Sequence, residues 1–126
     1  MPPIKNNSEG DNMPDDSTRL KYEARARIIK ALGHASRLMM IDELSRGERC
    51  VCELRELVGA DLSTVSKHLA VLKNAGVVED DKRGVQVFYR LKVPCLLHFF
   101  ECVEAVLSNQ AREAQRMVRG GHAALQ

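Results

Sequence analysis

Apolar and polar positions recur along this chain with two different periods. From Thr18, Leu20, Ala24, Ile28, Ile29 and Leu32 return every three or four residues, with Arg19, Lys21, Arg25 and Lys30 between them. That spacing predicts an amphipathic helix stopped at Gly33. A second helix carries Leu38, Met39, Ile41 and Leu44, with Ser36 as its expected N-cap and Gly47 at its end. A short third helix turns Val51, Leu54, Leu57 and Val58 inward and closes at Gly59. Asp61 then caps a fourth helix that reaches Ala75, with Gly76 as its stop. The period falls to two between Val77 and Leu91. Val85, Val87, Tyr89 and Leu91 share one face and Gln86, Phe88 and Arg90 the other, so this stretch reads as a hairpin joined at Arg83-Gly84. Pro94 opens a last long helix, expected to end near Val118 ahead of Gly120-Gly121. The predicted order is α-α-α-α-β-β-α, mainly helical with one small hairpin.

Residues 1–17 hold three of the four prolines and almost no large apolar groups. They cannot bury enough surface to offset their ordering entropy and are read as a flexible tail. Residues 18–118 form the folded domain and 119–126 a frayed C-terminus. A chain of 126 residues with 44% hydrophobic content supports one domain with a small core. No window holds the ~18 consecutive apolar residues of a membrane span. The start lacks a basic-then-apolar export pattern, so the expected location is cytoplasmic, with no membrane partner. Four cysteines in that compartment point to reduced thiols, and so to ligation or redox chemistry more than to a disulfide frame. The net charge of +2 means that a nucleic-acid binder of this composition must place its cations locally.

The fourth helix offers such a placement. Val65, Leu69 and Leu72 at i, i+4 and i+7 must face the core, which leaves Ser63, Ser66, Lys67, Ala70, Lys73 and Asn74 outward. Small polar residues near its first turn let a helix approach base edges, where Ser and Lys find donors and acceptors. Leu62, Ser63, Ser66 and Lys67 are the candidates for base contacts. Thr64, His68 and Lys73 are candidates for phosphate contact or packing. Lys82 and Arg83 at the hairpin tip are placed to follow the backbone or enter the flanking minor groove. A polar face is common on any soluble helix. The tight spacing around Gly59 and the basic hairpin tip directly afterwards favour the DNA-reading interpretation. The acidic run Glu79-Asp80-Asp81 would repel phosphate and is expected to point away from a duplex.

The stretch LSTVSKHLAVLKNAGVVEDDKRGVQVFYRL resembles the helix-turn-helix and wing of the ArsR/SmtB family of bacterial metal-sensing repressors, and ALGHASRLMMIDEL resembles that family's second-helix entry. The match spans roughly residues 25–107. The resemblance implies a winged helix-turn-helix fold and a homodimer paired through its first and last helices. It further implies binding to double-stranded operator DNA, an imperfect inverted repeat over its own promoter, with release when an inducer binds. Dimerisation suits the geometry as well, because paired recognition helices must sit about one DNA turn, ~34 Å, apart.

Cys50 and Cys52 lie two positions apart at the third helix. On a regular helix they would point roughly 200° apart, so sharing one ion is expected to require an extended or unwound turn there. Such fraying would disturb the support of the recognition helix. Arsenite-responsive members of the resembled family carry a C-V-C motif at this helix, usually with a third cysteine three residues on, where this chain has Arg55. Arsenite prefers three soft thiolates, so one ligand is left to be found. Cys95 and Cys102, expected on the last helix and ~10.5 Å apart along its axis, are candidates for completing the site or for a site of their own. The competing role is packing: Leu96, Phe99, Phe100, Val103, Val106 and Leu107 form an apolar stripe suited to a dimer seam, in which cysteine serves as a small hydrophobe.

The implied inducer is As(III) or Sb(III). Zn(II) and Cd(II) are alternatives that fit less well. The tail has no cysteines, and His98 with Glu101 or Glu104 matches the family's last-helix zinc spacing poorly. A second reading keeps the DNA chemistry but makes the input oxidation, pairing Cys50 or Cys52 with Cys95 or Cys102. Arg49 and Arg55 would favour thiolates in either mode. A third is a thiol metal carrier without DNA binding. With no nucleophile–base pair and no phosphate loop, the chain is not expected to be an enzyme.

Overall fold

The computed structural model describes the backbone of residues 15–124 and the side chains of residues 15–120. Most of the expected tail, residues 1–14, lies outside the described residues. The chain divides into two compact units at Lys92.

In the first unit, helix α1 (Asp16–Leu32) starts two residues earlier than expected, because Asp15 is extended and its Oδ1 accepts from the Thr18 amide at 2.8 Å. Helix α2 (Ala35–Leu44) is capped by His34 rather than Ser36; the His34 Nδ1 accepts from the Ser36 amide at 3.1 Å. Serine is the commoner cap, but an imidazole lone pair satisfies the same orphan donor. Strand β1 (Arg49–Cys50) leads directly into helix α3 (Val51–Val58), which Gly59 ends in the left-handed region at φ 74°. That backbone suits glycine, and its amide bonds the Arg55 carbonyl at 2.9 Å. Helix α4 (Leu62–Asn74) follows at once, with Asp61 accepting from the Thr64 amide at 2.9 Å. Met40, Ile41, Leu54, Val65, Leu69 and Leu72 are fully buried, so α2, α3 and α4 share one core. Leu57, expected inward, is exposed; α3 is short and sinks only Leu54.

Strands β2 (Val78–Arg83) and β3 (Gln86–Leu91) pair antiparallel from Val78↔Leu91 to Arg83↔Gln86. The two-residue loop between them puts Gly84 at φ 63°, a positive value that tight hairpin loops demand at this position. Val85 is therefore at the tip and 96% exposed, off the strand face on which the alternation had placed it. Strand β1 was not anticipated. It pairs with β3 through Arg49↔Tyr89 and Cys50↔Phe88, giving a three-stranded sheet in the order β1-β3-β2. The observed order is thus α-α-β-α-α-β-β-α, the predicted winged helix-turn-helix with one added strand.

In the second unit, a turn over Pro94 and Cys95 precedes helix α5 (Leu96–Ala124). Cys95 therefore sits just outside the helix rather than on it, and its carbonyl accepts from the His98 amide at 3.1 Å. Helix α5 continues through Gly120-Gly121 instead of fraying at 119. Two glycines cost about 1 kcal/mol each in a helix without forbidding its dihedrals. Phe99, Val103, Val106 and Leu107 form an exposed stripe along it. Among the described residues no helix is long and apolar enough to cross a membrane.

Candidate nucleic-acid interface and thiol pair

Burial of Val65, Leu69 and Leu72 fixes which way α4 faces, and Ser63, Ser66, Lys67, Ala70, Lys73 and Asn74 are all exposed as the period required. Leu62 stands half exposed at the first helical position, and the Ser63 hydroxyl donates to Asp61 at 3.4 Å. Hydrogen bonds from Thr64, through its side chain and then its backbone, hold the Asp61 carboxyl below the usual carboxylate range. The helix is also tied from behind. Arg37 of α2 donates its Nε to the Ala31 carbonyl at the end of α1 (2.6 Å), and its Nη1 lies 3.1 Å from His68 Nδ1. Arginine can only donate, so His68 is the acceptor and its ring is neutral. Burial, with His34 4.3 Å away ring to ring and Arg37 beside it, pushes the His68 pKa down. His68 is thereby a packing residue. Arg37, its partner, belongs to no pattern that the sequence displays.

The acidic run on β2 does not simply point away. Each carboxylate is matched to a cation: Glu79 to Arg90 at 3.0 Å, Asp80 to Lys73 at 3.1 Å, Asp81 to Arg83 at 2.9 Å. Cross-strand register supplies Arg90, the end of α4 supplies Lys73 and β2 itself supplies Arg83, so the run is neutralised where it stands. Two candidate DNA contacts, Lys73 and Arg83, are engaged in this way. Arg83 also meets Glu48 at 2.7 Å and lies over the Phe88 ring at 4.5 Å. Among the described residues no carboxylate lies within ion-pair distance of Lys67 or Lys82. Of the candidate contacts, Leu62, Ser63, Ser66 and Lys67 on the helix and Lys82 on the wing remain exposed and outside these ion pairs.

Cys50 is buried and Cys52 exposed, with Cα atoms 5.4 Å apart and their sulfurs joined as a disulfide. Of the two expected alternatives, an extended or an unwound turn, the structure has the extended one, and the start of α3 is not frayed. Cys50 is the N-cap, extended at φ −79° and ψ 161°, so the 200° helical offset never applies and both sulfurs meet over an intact first turn. Glu53 secures that turn by accepting from the Cys50 amide at 2.8 Å. Arg49 is held by Glu43 at 2.8 Å and by the Glu48 carbonyl at 2.9 Å. Only after two-electron reduction of that S–S bond would the pair present two convergent thiolates, donors of the soft kind that suit a thiophilic ion. Among the described residues no group of three or more His, Cys, Asp and Glu side chains is arranged to hold a metal ion. Cys95 and Cys102 are exposed in the second unit, and His98 lies 3.7 Å from Glu101 on the surface of α5.

Comparison with known proteins bears on this site. The family model described as bacterial regulatory protein, arsR family, matches residues 34–80, which run from the α2 cap into β2. The chain is 32% identical over 112 residues to the biofilm growth-associated repressor of Xylella fastidiosa, covering 86% of this chain and 98% of that one. It is 38% identical over 86 residues to the transcriptional regulator NmtR of Mycobacterium tuberculosis, covering 66% of this chain and 70% of the relative. In structure it resembles a homodimeric winged helix-turn-helix DNA-binding domain from Mycobacterium bovis, with TM-score 0.67, 29% identity, and 81% and 94% of the two chains covered.

Proposed function

Since the chain belongs to the ArsR family of bacterial regulatory proteins and is a DNA-binding transcriptional repressor rather than an enzyme, we propose that it leaves its operator when Cys50 and Cys52 capture As(III) or Sb(III). The observation that carries this reading is the meeting of two sulfurs at the start of α3, the helix that precedes the recognition helix α4. With the S–S bond first reduced by a cellular thiol, which supplies the two electrons and two protons and is itself oxidised to a disulfide, the resulting dithiol is a ligand pair of the kind trivalent arsenic and antimony favour. Arg37 and His68 orient α4, Lys67 meets a base edge and the adjoining phosphate, the small residues beside it meet base edges, and Lys82 follows the phosphates. The chain acts as a homodimer on an inverted repeat. The exposed apolar residues Leu20, Ile28 and Ile29 of α1 and the stripe on α5 support pairing, as does the homodimeric state of the Mycobacterium bovis domain.

The disulfide itself, which joins Cys50 to Cys52 and not either of them to Cys95 or Cys102 as expected, supports a second reading, in which the input is an oxidant. Two thiols then lose two electrons and two protons to a peroxide, which is reduced to two waters as the S–S bond forms. One assay separates the two. A duplex spanning the protein's own promoter is titrated with protein and challenged with arsenite, antimonite, cadmium, zinc and peroxide, for the wild type and each single cysteine variant. Release by arsenite that Cys50→Ser and Cys52→Ser each blunt is the expected result. Normal release of both variants moves the ligands to Cys95 and Cys102; release by peroxide alone replaces the metalloid with an oxidant.

A further inference from the structure

Arg83 stands at the end of β2, next to the wing tip, where a phosphate-binding cation belongs, yet two carboxylates hold it. Its Nε reaches Asp81 at 2.9 Å and its Nη2 reaches Glu48 at 2.7 Å, with the guanidinium over Phe88. Those are the donors that would otherwise bind a phosphate as a fork. The two partners differ in kind. Asp81 is two residues away on the same strand and travels with the wing wherever it goes. Glu48 comes from the turn into β1, 35 positions earlier in the chain. It therefore joins the wing to a separate segment.

Glu48 also has somewhere else to go. Arg90 Nη1 lies 3.7 Å from the same Glu48 oxygen, so Glu48 can release Arg83 without becoming an unpaired carboxylate. The pair is about half exposed on the Arg83 side, which leaves it open to exchange with an incoming phosphate. The register continues the point. Arg49↔Tyr89 places Glu48 one step to one side, level with Arg90, while Cys50, Phe88 and Asp81 share the cross-strand row one step to the other. Glu48 is thus two residues from Cys50, on the segment that any movement of the thiol pair would carry.

We infer that Glu48 is a positioning residue that decides whether Arg83 is available to a DNA phosphate, so that the wing's grip is set from the strand that bears Cys50. This rests on the DNA-binding reading of the winged helix. Phosphate contacts do not depend on sequence, so a fluorescein-labelled duplex of arbitrary sequence is a sufficient probe, titrated by anisotropy across a salt series. Glu48→Gln is expected to bind several-fold tighter at low salt, and its slope of log affinity against log salt is expected to steepen by about 0.9 per wing. Glu48→Ala, which removes the acceptor entirely, is expected to do the same. In an Arg83→Ala background the gain should vanish, since no guanidinium remains to release. A slope unchanged from wild type in both Glu48 variants overturns the assignment. So does a gain that survives in the Arg83→Ala background, which would be general relief of negative charge. A wild type that shows no salt-dependent binding to any duplex defeats the DNA-binding reading itself, an outcome distinct from either of these.

Discussion

Lys67 and Lys73 lie on one exposed face of α4, but their electrostatic situations differ. Lys73 is held 3.1 Å from Asp80, whereas Lys67 has no ion-pair partner among the described residues. Lys67→Ala is therefore expected to lower the salt slope of DNA binding by about 0.9 per recognition helix. Lys73→Ala should lower it less, because binding a phosphate there requires breaking an existing pair. Equal losses in the same anisotropy titration would contradict that ranking. His68 makes a prediction about pH. Its pKa in the folded protein lies below the ordinary 6.5, so on acidification the unfolded chain takes up the proton first. The stability that neutral His68 contributes is complete above the ordinary value and is lost as pH falls towards the depressed one. The urea midpoint of the wild type should drop between about pH 7.5 and about pH 5.5 by more than that of His68→Gln. Parallel declines would mean that the burial of His68 beside His34 and Arg37 does not govern the titration.

Helices α3 and α4 owe their positions to a few local devices, which can be removed one at a time. Asp61→Ala takes away the cap of α4 and should cost ~1 kcal/mol, read as a shift in the urea midpoint. Leu54 is the one residue that α3 buries completely, so Leu54→Ala should cost about 2–5 kcal/mol in the same measurement. If the Leu54 loss is no larger than the Asp61 loss, α3 is not anchored by its core contact. The turn at Asp61 and the face of α4 were legible in the chain because capping and a 3.6-residue period are written in adjacent positions. Strand β1 was not, since two residues carry no alternation and its pairing is supplied by β3. The cap of α2 was misplaced for a related reason: Ser36 has the commoner chemistry, but His34 has the extended backbone.

Leu20 and Ile29 on α1 are more than half exposed, and Phe99, Val106 and Leu107 on α5 are comparably open, so the chain presents much apolar surface to its surroundings. If those faces pair two copies, sedimentation equilibrium should find a dimer, and Val106→Asp should shift it to monomer by burying an unpaired charge. The same variant should lose DNA affinity, since one recognition helix cannot span two half-sites. A Val106→Asp protein that stays dimeric would place the seam elsewhere.

The helices, the hairpin, the face of α4 and the wing turn follow from neighbouring residues alone, because side-chain period, caps and left-handed glycines act over a few positions. The state of each functional group does not. The Lys73 and Arg83 charges are taken up by Asp80 and Glu48, and Cys50 meets Cys52 because β1 is drawn against β3. A residue's charge and reach are its own, but the partner that occupies them is brought there by the folded chain.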